Sequence, residues 1–206
     1  MNETAFPPFV ASAPTIVVHD ALAGFLGAVD DGIIEYRYAD AVRLAGHSCP
    51  TVASAFLMAR RALGHLFRDA LPERGGVRVD CRDRRDAGVT GVIANVLSLV
   101  TGAAEDGGFH GLGGRFVRRN LLRFGQPIGD EFRFTRIDTD QAVEASAHPA
   151  RVPADPLLRE LMPRCVAGVA SDDEAARFRR LWQDRVRCLL LEHADDPEVI
   201  VLRSID

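Results

Sequence analysis

The sequence predicts an α+β protein, with a mixed or antiparallel sheet packed by helices and a helical C-terminal extension. Three observations carry that reading. Helix-length apolar periodicities and short alternating runs occur in mixed order, without repeated strand–helix units. Hydrophobic residues make up 47% of the 206 residues, enough for a substantial core. After His148 the character changes to two long amphipathic stretches, "DPLLRELMPRCVAG" and "SDDEAARFRRLWQDRVRCLLLEH". The expected organisation is an irregular arm over residues 1–18, an α+β core over 19–150 and the extension over 151–206.

In order along the chain, Pro7, Pro8 and Pro14 make the arm irregular. Asp20 is a plausible N-cap for a helix whose stripe is Ala21, Leu22, Phe25, Leu26 and Val29, with Gly32 just past its end. "IIEYRY" reads as a short strand or as the start of a helix running through "YADAVRLAG". The clearest helix starts at Ser48 or Cys49, with Pro50 in its first turn and an apolar face of Val52, Phe56, Met58, Ala59, Leu63, Leu66 and Phe67. "VRVDCRD" alternates as a strand, with Cys81 on the face of Val77 and Val79. "TGVIANVLSLVTG" is apolar at helical length and ends on Gly102. "RFVRRNLLRFG" and "EFRFTRID" flank "QPIGD" and predict an antiparallel hairpin, with "QAVEASA" as a third strand. Ser171 and Glu174 have the form of a capping box, and "EVIVLRSID" is a candidate last strand.

Composition narrows the function. A net charge of −4 argues against a general nucleic-acid binder. No stretch reaches the ~20 apolar residues of a membrane span, so no membrane partner is expected. The first residues lack a basic region before their apolar run, and the four cysteines are widely and irregularly spaced. A cytoplasmic protein with reduced thiols is the expectation.

The chemistry concentrates in "AGHSCP" at residues 45–50. His47 and Cys49 stand two apart where a loop enters a helix, and in a turning segment their side chains can converge on one ion. A helix start favours negative charge and so a sulfur ligand, while Pro50 stiffens the turn. Imidazole nitrogen with sulfur suits zinc, iron or copper. The alternative is a capping turn that happens to contain a cysteine, because zinc normally needs three protein ligands and two are local.

"GHSCP" followed by a long amphipathic helix resembles the "GHxCPG" signature of the FmdE family of formylmethanofuran dehydrogenase proteins. The resemblance continues at "NVLSLVTGA" and the glycine-rich stretch after it, and covers residues from about 20 to 190. It implies an α+β core, a homodimer, and a transition metal, zinc first and iron second, on His47 and Cys49. The family's glycine after Cys-Pro is Thr51 here, and its later cysteine and aspartate fall near Val92 and Asn95. Asn95 therefore enters only as a pocket candidate, and the C-terminal zinc-finger module of some members is absent. The expected function is a metal-binding protein with an anion-accepting pocket, the reaction unnamed. The alternative is a metal carrier, sensor or accessory protein for a redox enzyme.

Other residues stand beside plainer readings. Tyr38 and Asp40 could steady His47 from behind. The glycine-rich segment is either a closing loop or a cradle for a small anionic ligand. Within it His110 is a third-ligand or acid–base candidate, or a solvated loop residue. Arg115, Arg118, Arg119 and Arg123 on a strand could clamp an anion, or line a solvated or subunit-facing surface. Cys81, Cys165 and Cys188 read as core thiols, His65 as exposed, and Trp182 as helix packing.

Overall fold

In a computed structural model, which describes residues 5–68 and 70–205, the centre of the molecule is helix α3 (Pro50–Leu66). Met1–Thr4 of the expected arm lie outside the described residues. Every residue from Val52 to Ala59 is buried, so the first half of this helix has no solvent face. A helix apolar all round must be enclosed. Here the sheet, α2 (Tyr38–Ala45), α4 (Thr90–Thr101) and α6 (Asp172–Leu191) enclose it. Burying Phe56, Leu57 and Met58 stabilises the fold by about 1.5–3 kcal/mol per side chain.

The main sheet has five strands in the order β4-β3-β5-β6-β7. They are β3 (Val77–Cys81), β4 (Leu122–Arg123), β5 (Phe132–Arg136), β6 (Ala142–Ala147) and β7 (Ile200–Ile205). β4 runs parallel to β3 and the remaining pairs are antiparallel. The predicted α+β class with a mixed sheet is thus observed, and the C-terminus is helical apart from β7.

The expected hairpin around "QPIGD" does not form. β4 is only two residues long and lies on one side of β3, while β5 lies on the other. The arginine-rich segment before it is therefore loop, and its arginines do not share a strand face. A second correction concerns the first helix, α1 (Ala21–Phe25). Asp20 caps it, its carboxylate accepting from the N–H groups of Leu22 and Ala23 at 3.0 and 3.1 Å. The helix stops before Val29, and Phe25 and Leu26 stand exposed. "IIEY" becomes a strand and "YADAVRLA" a helix, resolving both readings: β2 (Ile33–Tyr36) pairs with β1 (Ile16–His19), a strand at the end of the expected arm.

Val77, Val79 and Cys81 face the helices, while Arg78 and Asp80 face the other way. On that second face one row of side chains crosses all five strands in register: Arg123, Asp80, Arg133, Glu144, Arg203. The charges alternate, and both carboxylates are only 1% exposed beneath arginines that reach solvent. Arg123 grips Asp80 with two N–H groups at 2.5 and 2.9 Å. Arg133 and Arg203 share Glu144, which also accepts from the backbone of Gly129 and Asp130 at 3.2 and 3.0 Å. Burial pushes the Glu144 carboxyl up, but Arg133 and those two N–H groups outweigh it and hold the group below its ordinary range. The chain has no lysine, so all 25 of its strongly basic residues are arginine, whose planar fork suits such two-point pairing.

At the C-terminal end, α5 (Leu157–Val166) packs on α6, whose start is the expected capping box. Glu174 N–H donates to the Ser171 hydroxyl, and Ser171 N–H donates to the Glu174 carboxylate at 2.8 Å. β7 then adds to the free edge of β6. Among the described residues no helix is long and apolar enough to cross a membrane.

Candidate functional site

The turn between α2 and α3 carries the His-x-Cys pair. Gly46 ends α2 in the left-handed conformation at φ 74°, which lets the chain reverse without a Cβ clash. Cys49 is the N-cap of α3, its sulfur accepting from Val52 N–H at 3.5 Å, and Pro50 occupies the first turn as the sequence suggested.

His47 is exposed, and its Nδ1 lies 2.9 Å from the carbonyl oxygen of Ala45. A carbonyl can only accept, so Nδ1 carries a proton, and in the neutral ring Nε2 is then the nitrogen with the free lone pair. Cys49 is buried. Among the described residues no group of three or more His, Cys, Asp or Glu side chains is gathered as a metal cage.

Ser48, between them, is the residue that sequence reasoning missed. Its carbonyl oxygen accepts from the Trp182 indole N–H and the Gln183 amide, both at 3.1 Å. Its hydroxyl lies 3.0 Å from that of Tyr38. Tyr38 is fully buried, so burial pushes its phenol up, with Ser48 opposing the shift. Two helices far apart in sequence therefore hold the peptide between the two candidate ligands. The signal in the sequence was slight: an adjacent Trp and Gln on the face of α6 that turns toward the turn.

The outer partners expected for His47 do not serve it. Tyr38 contacts Ser48, and Asp40 accepts from Arg37 N–H and Arg43, both at 2.9 Å. The partner of His47 is the Ala45 carbonyl instead.

The remaining candidates lie in separate places. Asn95 is exposed on α4 and lines a cleft of about 460 Å³ with Arg85, Val92, Glu105 and Phe124. Arg85 and Glu105 in that cleft form an ion pair. His110 is exposed, 3.5 Å from Arg119. Arg115 stacks over Phe116 at 4.7 Å.

Arg118 departs from the expected anion clamp, because it is buried and donates to Asp20 at 2.7 Å. Arg74 donates to the other Asp20 oxygen at 3.0 Å and to the Leu99 carbonyl near the end of α4. Burial pushes the Asp20 carboxyl up, yet the Ala23 N–H, Arg118 and Arg74 together hold it below its ordinary value. A cation pair at the C-terminus of α4 also complements the helix dipole.

The cysteines follow their environments. Cys81 is buried, and burial first, then Asp80 and Asp83, push its thiol up to about 12. It therefore stays protonated as a core thiol. Cys165 and Cys188 are only partly buried, and Cys188 packs against the edge of the core as expected. His65 is half-buried, with Nε2 3.1 Å from the Ser204 hydroxyl.

Fold and site together define an α+β protein with a capped, surface-reaching His-Ser-Cys turn braced by its C-terminal helix. No protein-family model matches the chain, and no curated protein matches it.

Proposed function

We propose that the chain is a cytoplasmic, self-associating protein that binds a transition metal, zinc first and iron second, through Nε2 of His47 and the sulfur of Cys49. The observation that carries this reading is the bond from His47 Nδ1–H to the Ala45 carbonyl. Metal-binding imidazoles characteristically donate their second ring N–H to such an oxygen, which fixes the tautomer and turns the free lone pair outward. The Val52 N–H on the Cys49 sulfur is the same kind of support for a sulfur ligand. The resemblance to the FmdE family of formylmethanofuran dehydrogenase proteins adds to this reading.

Nitrogen with sulfur is a donor set that zinc accepts, and the remaining positions would be filled from outside the turn. An exposed imidazole suits an ion that is passed on, so the carrier, sensor or accessory role is favoured over catalysis. Anionic ligands would meet Arg115 and Arg119, which are exposed, whereas Arg123, also exposed, is already engaged by Asp80.

Elemental analysis of protein purified without chelator, followed by cobalt titration, tests this. Stoichiometric metal and a sulfur-to-cobalt charge-transfer band are expected in the parent protein. Both should vanish in Cys49→Ser, and cobalt affinity should fall in His47→Ala. Metal at background in the parent, or a band that survives Cys49→Ser, would sink the reading.

A further inference from the structure

The glycine-rich segment is neither a flat cradle nor a featureless loop. Leu112 and Arg115 close a tight turn through two reciprocal backbone bonds of 2.9 Å, with Gly113 and Gly114 both at positive φ. Arg118 N–H donates to the Phe109 carbonyl, so residues 109–119 form a hairpin-like finger. Its base is clamped by the buried Arg118–Asp20 pair, and its flank is braced by Phe25 against Phe116 at 5.4 Å. Phe109 and Leu112 on this finger are 42% and 45% exposed. Residues 107–119 contain no acidic side chain, and among the described residues Arg115 and Arg119 have no carboxylate partner. A hydrogen-bonded turn carrying aromatic, aliphatic and arginine side chains has the composition of an interface anchor.

A second surface has the opposite charge. The corner between α5 and α6 presents Val166 and Val169 at 84% and 63% exposure, followed by Asp172 and Asp173 in the first turn of α6. Arg164, at the end of α5, is taken up by Glu174 at 3.0 Å, and among the described residues Asp172 and Asp173 have no ion-pair partner.

We infer that the two surfaces meet between copies, the finger at residues 109–119 of one molecule seating on the α5–α6 corner of another. Leu112 and Phe109 cover Val166 and Val169, while Arg115 and Arg119 face Asp172 and Asp173. Apolar patches rimmed by complementary charge mark association sites, and the pairing sets register and orientation. This rests on the self-association proposed above and names the contact that produces it. It does not involve the metal.

Sedimentation over a range of protein concentrations, with circular dichroism to confirm folding, tests the contact. The parent protein should associate. Arg115→Glu with Arg119→Glu should sediment as monomer, and so should Asp172→Arg with Asp173→Arg. All four positions are exposed, and although two arginines in the first turn of α6 oppose the helix dipole, each protein should remain folded. Mixing the two reversed proteins should restore association, because every contact in the mixed assembly again joins opposite charges. A parent that is monomeric throughout overturns the self-association itself. A parent that associates while either reversal leaves it associated, or while the mixture fails to recover, overturns this contact alone.

Discussion

The indole N–H of Trp182 donates to the backbone carbonyl of Ser48 at 3.1 Å, joining the C-terminal helix to the turn between the two candidate ligands. Gln183 donates to the same oxygen at the same distance. The placement of His47 and Cys49 thus depends on a helix more than a hundred residues further on.

Removing that link should loosen the turn without unfolding the protein. Trp182→Phe keeps the aromatic packing on Phe178 and deletes one donor, while Gln183 still serves the carbonyl. A loss of about 1 kcal/mol is expected, read as a lower urea midpoint with unchanged slope. An unchanged midpoint would show that the bond does not brace the turn.

The two roles of Cys49 separate by substitution. Cys49→Ala removes the cap and should cost about 1 kcal/mol, whereas Cys49→Ser supplies a better capping atom and should cost less. Both should lose metal. Equal stability in the two variants would count against capping by the sulfur.

Gly75 sits at φ 88°, and a Cβ there would overlap Nη1 of buried Arg118. The clash cannot be relieved by swinging an exposed side chain, because Asp20 clamps this one. Gly75→Ala should therefore cost about 2 kcal/mol or more, combining backbone strain with displacement of the ion pair. A melting temperature equal to the parent's would refute the packing described.

Acid should weaken the sheet in a defined direction. The folded carboxyl of Glu144 lies below its ordinary value, so the unfolded chain takes up the proton first as pH falls. The stabilisation is complete well above the unfolded value of about 4.3 and is lost as pH drops through the folded value. Asp20 acts in the same sense. Thermal melts from neutral pH to about pH 3 should show a shallower acid limb for Glu144→Gln than for the parent. Parallel limbs would contradict this.

Thiol labelling offers a further check. Cys165 and Cys188 should react with a disulfide reagent in the native protein, while Cys81 should react only on unfolding, given its burial and raised thiol. Native labelling of Cys81 at a comparable rate would place it elsewhere.

Much of the fold was legible because its signals are local. Asp20, the Cys49–Pro50 pair, Gly102 and the Ser171–Glu174 box each satisfy their own helix end, so neighbours a few residues away suffice to read them. The stripe around Phe25 misled because a helical pattern does not say which surface will cover it; here Phe116 of the finger does so in part. The hairpin misled for a similar reason. β4 and β5 are close in sequence, but β3 lies between them, and pairing partners are chosen by sheet order.

At the candidate site the division is sharper. The start of α3 was legible in the sequence, because Cys49 and Pro50 suit the helix's own first turn and need only adjacent residues to do so. The tertiary structure alone decided that Ser48 is held from two helices, that Arg118 is buried on Asp20, and that the acids Asp80 and Glu144 lie beneath arginines from neighbouring strands. Short-range preferences are encoded in adjacent side chains. Burial and charge pairing exist only once distant segments have excluded water between them.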